Sequence, residues 1–432
     1  MNQSMGLPDE KKARKGSPTR LLVRDIAIVA LVAWLSLQAL RRFVADRYIV
    51  PTDSMQPTLY GSRESGDIVL VDKLVAASTL RRFDLAVFRS PEDPNSHLVK
   101  RVATIGADLQ HCWLELRDGD LWLGPDANRL QRVTKDPVID RDLRVTWFEW
   151  PSRNRDPVEQ CLLLPRGLQQ GAAIELPSLE NVDEARSSLT RHARNLRLRD
   201  GGTLGDRWLS TARAVDVSFL DVLGLRHRDG GNVTVEDAGF DGTLELNGAE
   251  HVFAGIMLRP DDFTFHWRPS VGTVELLCNG EVKAHGTMPV ITGVAKTRVE
   301  FGFLDGRLFF AIEGRADSLW CEVLKAEWRS ADTPTAQPMP KNLLHLGAVG
   351  PRSVRVARCS VFRDLHYFRE RMIGVAMHTY AIHVEPGTVY LLGDNSFDSR
   401  DSRQMGALPI RDFVGQPRCV IGPPVRSRWL QR

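Results

Sequence analysis

The chain has almost no net charge to offer a polyanion: 57 Lys plus Arg stand against 54 Asp plus Glu, a formal net charge of +3 over 432 residues. A basic face supplies most of the affinity in nucleic-acid binding, so nucleic acid is excluded as a partner class. Cysteine is scarce and scattered, and Cys112, Cys161, Cys278, Cys321, Cys359 and Cys419 form no Cys-x-x-Cys pair. The eleven histidines show no His-Glu-x-x-His or related spacing, so no metal ligand set is assigned and no cofactor is expected. Whether the six thiols pair stays open, because a location outside the cytoplasm permits disulfides and a long chain equally accommodates isolated core cysteines. Long apolar runs are rare too, and a mean hydropathy of −0.22 excludes a protein that crosses a membrane many times. No internal repeat is present, and no low-complexity tract exceeds the polar, proline-bearing linker from Ser330 to Lys341. What remains is an ordinary globular composition, 43% hydrophobic and 26% charged, long enough for two or three domains.

One apolar segment stands out. Ile26 to Leu40 carries no charge and reaches spanning length when Leu21 to Val23 and Phe43 to Val44 join it. A bilayer core needs roughly 20 apolar residues, and the arginines near the ends, Arg24 and Arg41, can snorkel to the headgroups. A signal-peptide hydrophobic region and a buried core helix are the alternatives, the first weakened because no small-residue cleavage site follows Leu40. Lys11, Lys12, Arg14, Lys15, Arg20 and Arg24 precede the segment, whereas only Arg41, Arg42 and Arg47 follow closely. The positive-inside rule then predicts a cytoplasmic tail over residues 1–23, a span over 24–45 and an extracytoplasmic remainder, on a single-pass protein of the cytoplasmic (inner) membrane.

Beyond the span the pattern predicts a mainly β protein. Short runs of Val, Leu, Phe and Trp are punctuated by Asp118-Gly119, Asp200-Gly201, Asp229-Gly230, Asp241-Gly242, Asn247-Gly248, Asn279-Gly280 and Asp305-Gly306. Such dipeptides tolerate positive φ in tight hairpins, and Val299 to Ile312 reads most clearly as two alternating strands around one turn. Helical periodicity returns only around Asn181 to Asn195. Over residues 141–366 the turns arrive often enough for a β-sandwich of its own, with Trp267, Trp320 and Trp328 as buried-type aromatics. No motif there carries chemistry, and its partner is unknown.

The chemistry-bearing residues flank this region. Val50-Pro-Thr-Asp-Ser-Met-Gln-Pro-Thr-Leu-Tyr60 sets a serine between two prolines, followed by Gly66-Asp-Ile-Val-Leu-Val-Asp-Lys73 and His97-Leu-Val-Lys-Arg-Val102. Much later comes Gly393-Asp-Asn-Ser-Phe-Asp-Ser-Arg-Asp-Ser-Arg403. Alone, Ser54 reads as a turn cap. Together and in this order the four boxes closely resemble those of bacterial type I signal peptidases (leader peptidases), over about residues 40–135 and 376–425, with a single anchor just before the serine as in that family.

The resemblance implies a signal-peptidase-type β catalytic core in two parts, residues 46–140 and 367–432, interrupted by the β-sandwich-like, lectin- or laminin-G-like insertion. It makes Ser54 the nucleophile and Lys100 the general base of a Ser/Lys dyad. A lysine serves as a base only when its pKa falls from about 10.4 toward neutrality, and burial among apolar neighbours such as Leu98, Val99 and Val102 is the available means. Arg101 points to the opposite face of the same strand. Thr52 matches the hydroxyl that joins the Ser54 backbone N–H in the oxyanion hole, Ser399 the serine that holds the lysine, and Asp401 with Arg403 a buttressing ion pair. Val50, Met55, Leu59 and Val99 match positions lining shallow pockets for small side chains, with plain core as the alternative. The chain departs from the family at Ser396-Phe397, usually Arg-Asp, at Phe83-Asp84, usually Gly-Asp, and at Ile105 to Asp108, usually a Pro-Gly-Asp turn.

The function implied is a membrane-anchored serine endopeptidase that removes signal peptides from exported preproteins through an acyl-enzyme, with signal-peptide-bearing preproteins and membrane lipid as partners. The alternative is a surface-anchored binding protein whose sandwich takes carbohydrate or protein and whose peptidase boxes are degenerate. Self-cleaving Ser/Lys repressors are disfavoured, since no helix-turn-helix precedes the serine.

Overall fold

A computed structural model describes residues 18–93, 95–151, 162–163, 174–176, 178–179, 181–185, 187, 209–211, 215–216, 218–220, 226–227, 233–258, 261–313, 319–322, 342–369 and 381–430. The apolar segment is a helix, Pro18–Phe43, whose stretch Asp25–Phe43 is long and apolar enough to cross a membrane, with none of that stretch buried against the rest of the chain. It stops slightly short of the expected span. Lys73 Nζ donates to the Arg41 carbonyl at 2.7 Å and pairs with Asp46 at 3.2 Å, so a cation meets the helix C-terminus just where the strand Ala45–Ile49 begins.

The remainder is mainly β, as the alternation predicts. An eight-stranded antiparallel sheet runs in the order Ala45–Ile49, Ile68–Asp72, Phe413–Gly422, Leu85–Arg89, His97–Ile105, Thr388–Leu392 and Leu408–Pro409, with Arg428–Trp429 added on Phe413–Gly422. Strands near the C-terminus therefore slot between strands from the first hundred residues. Leu85–Arg89 has apolar side chains on both faces: Leu85 and Val87 join one core cluster with Val50, Met55 and Leu59, and Ala86 and Phe88 join another with Val102 and Leu391. Burial on both sides is what fixes its central place. A four-stranded sheet of Ile382–His383, Trp113–Arg117, Asp120–Gly124 and Gln131–Arg132 packs its own cluster beside it.

The intervening residues form two seven-stranded sheets face to face. One contains Val145–Trp150, Val354–Arg363, Ala238–Glu245, Lys296–Leu304 and Arg307–Ile312, the other Glu281–Thr287, Thr273–Cys278, Asp261–Arg268, His251–Leu258 and Asn342–Val349. Phe265, Trp267, Phe301 and Phe310 fill the space between them. The Val299 to Ile312 hairpin is present, with Asp305 and Gly306 at φ 49° and 82°. Asp118-Gly119, Asn247-Gly248 and Asn279-Gly280 also take positive φ at both positions. Asp241-Gly242 is a correction: it lies inside the strand Ala238–Glu245, paired on both sides. A side chain at Gly242 would strike the Phe240 ring at 2.5 Å and approach the Arg358 carbonyl, so this glycine serves close strand approach rather than reversal. Of the expected helix near Asn181, residues 182–185 are helical. Asp200-Gly201, Asp229-Gly230, Trp328 and the linker from Ser330 lie outside the described residues. Cys112, Cys278, Cys359 and Cys419 are free thiols.

Candidate active site

Asp53–Met55 make a single turn of 3-10 helix, closed by Gln56 N–H to the Asp53 carbonyl at 3.0 Å. Proline on either side favours such a turn over a strand. Gly61 packs so tightly beneath it that a Cβ there would lie 1.9 Å from the Thr52 carbonyl. Asp67, from the second box, sits fully buried below, accepting from Tyr60 N–H at 3.1 Å and from Arg426 Nε at 2.6 Å. Ser54 is thus held on a fixed turn and is 8% exposed.

Lys100 reaches this turn from the strand His97–Ile105, its Nζ 2.6 Å from Ser54 Oγ and 3.1 Å from Ser399 Oγ. Alternation places it on the face of Leu98 and Val102, while Val99 packs with the cluster on the other side. Only 3% of Lys100 is exposed, and burial lowers its ammonium to about 8, against the opposing pull of Asp401 and Asp394 and with help from Arg403. Thr52 Oγ1 lies 3.3 Å from Ser54 Oγ on the outer side of the turn.

The segment Gly393 to Arg403 leaves the strand Thr388–Leu392, which pairs with the lysine strand, and so arrives beside the dyad. Asn395 N–H donates to the Ser54 carbonyl at 3.2 Å. A Cβ at Gly393 would stand 2.0 Å from Ser399 Oγ, so glycine alone permits that contact. Asp401 caps the short helix Ser402–Met405 in a capping box with Gln404, accepts from Gly393 N–H at 2.8 Å, and pairs in bidentate fashion with Arg403. Both partners are wholly buried.

All six residues expected around the dyad therefore come together. The four expected pocket residues split: Val50, Met55 and Leu59 are buried in one core cluster, and Val99 packs against it while keeping some surface. Two supports escaped the sequence reading. Arg101, on the opposite face from Lys100, is buried and forms a bidentate pair with Asp394 at 2.7 and 2.5 Å, and Thr58 Oγ1 donates to the same carboxylate. Ser396 and Phe368 hold Arg403 from the far side. An arginine beside the lysine and an aspartate after Gly393 were visible signals for the first; nothing local announced the second.

A cleft of about 1190 Å³ opens on the Arg101 side of the sheet, among Arg82, Asp84, Asp142 and Arg144, and does not include the dyad. Among the described residues one carboxylate group, Asp120, Asp237, Asp305 and Asp364, is compact enough for a cation. Arg132 and Lys135 already ion-pair within it, so its donors meet protein cations.

Residues 22–111 and 359–421 match the family model of signal peptidase, peptidase S26. Over these two segments, and not over the residues between them, the chain is similar to that family. Signal peptidase I of Aquifex aeolicus is 37% identical over 75 residues, 17% of this chain and 28% of the relative. That of Mycobacterium tuberculosis is 36% identical over 92 residues, 20% of this chain and 31% of the relative. The signal peptidase match thus spans less than a third of the length of these curated relatives. Similar solved structures include winged bean acidic lectin, 12% identical over 50% of this chain and 97% of that one, with a TM-score of 0.30. A Bacillus subtilis protein with a galectin-like fold is 9% identical over 51% of this chain and 96% of that one, also at 0.30.

Proposed function

We propose that this protein is a membrane-anchored serine endopeptidase that removes signal peptides from exported preproteins, with residues 46–140 and 367–432 as one catalytic core interrupted by residues 141–366. The observation that carries the reading is a buried lysine 2.6 Å from a serine hydroxyl on a fixed turn. A serine attacks a carbonyl only when a base removes its proton, and Lys100 in its neutral form accepts that proton as Ser54 Oγ bonds to the scissile carbon. The tetrahedral oxyanion is received by the Ser54 backbone N–H and the Thr52 hydroxyl, and loss of one such donor costs about 2.7–4 kcal/mol. Collapse expels the mature protein's amine, to which Lys100 returns the proton. Water, deprotonated by the same lysine, then attacks the acyl carbon. The ester bond to Ser54 Oγ breaks, that oxygen takes the proton back from Lys100, and the signal peptide leaves with a new C-terminal carboxyl group. Ser399 holds Nζ in line throughout, and Asp401 with Arg403 fixes the segment that carries Ser399.

The helix Pro18–Phe43 anchors the core to the cytoplasmic membrane with its basic N-terminal flank inside, which sets the dyad close to the outer surface where a translocating preprotein emerges. An extended substrate pairs by its backbone beside the dyad, and Val99 with the apolar side chains near the serine turn admits small residues before the cleaved bond. Lys135 is buried because carboxylates pair with it, whereas Lys100 Nζ is buried against the hydroxyls of Ser54 and Ser399. A scaffold relieved of catalysis has no physical need for that second arrangement, which weighs against the degenerate-core alternative.

The test is cleavage of a signal-peptide-bearing preprotein by the detergent-solubilised chain. Ser54→Ala and Lys100→Arg are expected to lose activity by 10³-fold or about that order, the second because a guanidinium cannot be deprotonated. Lys100 must be neutral to act, so the wild-type rate should rise with pH and reach half its plateau near the lysine's value of about 8. Wild-type cleavage by either variant, or a rate flat from pH 6 to 9, would remove the dyad from the mechanism.

A further inference from the structure

All five N–H donors of Arg403 are engaged, and only two go to Asp401. Of the others, Nη2 donates to the Ser396 carbonyl at 2.7 Å, and Nη1 donates both to Ser396 Oγ at 2.6 Å and to the Phe368 carbonyl at 2.9 Å. Ser396 Oγ also accepts from Phe368 N–H at 2.8 Å. Phe368 stands five residues past the end of the sandwich strand Val354–Arg363, and the chain between them is tied down: Asp364 pairs with Lys135 at 2.6 Å, and Tyr367 N–H donates to the Gly119 carbonyl at 2.9 Å. The Phe368 and Phe397 rings meet edge to face with centroids 6.1 Å apart. Ser396-Phe397 is the very place where the chain departs from the usual Arg-Asp. A continuous set of contacts therefore leads from the sandwich through Phe368 and Ser396 to Arg403 and Asp401, on to Gly393 N–H, Ser399 and Lys100.

We infer that Ser396 is a positioning residue for the dyad, and that the chain leaving the sandwich at Phe368 completes the catalytic segment in place of a side chain carried by that segment itself. This deepens the proposed peptidase reading and rests on it. With Ser396 in place, Arg403 is clamped on two sides, Asp401 keeps its neutralising partner, and Ser399 is held against Nζ. Without the hydroxyl, Arg403 retains Asp401 and its bonds to the Ser396 and Phe368 carbonyls, but loses the acceptor that Nη1 shares with Phe368 N–H and so is held less firmly. A looser guanidinium offsets the Asp401 charge less well, and that carboxylate raises the lysine's proton affinity, so Lys100 should titrate at higher pH.

The experiment compares wild type with Ser396→Ala, Ser396→Thr and Phe368→Pro, the last deleting the N–H that Ser396 accepts. Two quantities are read: preprotein cleavage against pH, and the Lys100 titration by ¹³Cε NMR. Ser396→Ala is expected to lower kcat about tenfold with KM nearly unchanged, to move the acid limb and the NMR titration upward together, and to be rescued by Ser396→Thr. Ser396→Ala and Phe368→Pro combined should be no worse than the poorer single variant, since both break one link. Unchanged kcat and limb in Ser396→Ala would overturn the proposal, as would a loss of kcat with the lysine titration left in place, which marks mere structural damage. Because the NMR shift is read without turnover, it stands or falls separately from the dyad's role, which Ser54→Ala tests.

Discussion

Phe83 shows how a single residue records a local compromise. Its φ is 70°, a left-handed backbone that glycine takes freely, and the resemblance to signal peptidases leads one to expect glycine there. The ring repays the strain: it is 8% exposed, packs in the cluster with Leu114 and Tyr390, and lies under Lys135 Nζ at 5.7 Å. The backbone geometry itself is needed, because the Phe83 carbonyl accepts from Arg101 Nη1 at 2.7 Å and its N–H donates to Val102, both on the lysine strand. Phe83→Ala should lose the ring and keep the strain, costing about 3–5 kcal/mol. Phe83→Gly should lose the ring and shed the strain, so it is expected to be the less damaging of the two by about 1 kcal/mol. Urea unfolding of the two variants decides this; the usual order, alanine better than glycine, would show that the strain is not felt.

At the level of strands and turns, the same dipeptide means different things in different surroundings. Asp305-Gly306 reverses the chain because apolar alternation flanks it and nothing else competes for its backbone. Asp241-Gly242 looks the same in sequence, yet the strands Lys296–Leu304 and Val354–Arg363 close over it from both sides and Arg298 pairs with Asp241 at 2.6 Å. Valine has the higher strand propensity, but Gly242→Val would drive a side chain into the Phe240 ring, so it should destabilise by about 1–3 kcal/mol, read as a lowered melting temperature. A neutral or stabilising result would mean that Phe240 has room to move aside. The groups of the candidate site were legible for a comparable reason. Ser54, Lys100 and Ser399 sit in short boxes whose residue types have few other uses, whereas the partners of Arg403 come from Ser396 and from Phe368, 35 residues upstream, through a backbone carbonyl that no side-chain pattern encodes. Likewise the Arg101–Asp394 pair joins residues 293 apart, and only the pairing of Thr388–Leu392 with His97–Ile105 brings them together.

Across the whole molecule, the sandwich meets the four-stranded sheet through buried charge. Asp237, Asp305 and Asp364 from the sandwich side face Asp120, Arg132 and Lys135 from the other, so four carboxylates share two cations. Burial raises the Asp364 carboxyl to about 7, Lys135 opposes that rise, and Asp305, Asp237 and Asp140 add to it. Asp237 and Asp120 are pushed upward by burial as well, with Arg132 pulling both back. A carboxyl whose folded value lies above its unfolded value of about 3.9 holds its proton longer in the folded state. Its stabilising contribution is therefore full below pH 4 and is lost as pH rises through about 7, the reverse of a carboxylate held by a strong ion pair. Asp364→Asn keeps the shape and an amide donor but removes the titration. The slope of unfolding free energy against pH between 4 and 7 should be less negative in this variant than in wild type, measured by urea unfolding at each pH. Identical slopes would mean that Lys135 keeps Asp364 ionised across the range, and that the junction between sandwich and sheet is a plain salt bridge rather than a proton-holding one.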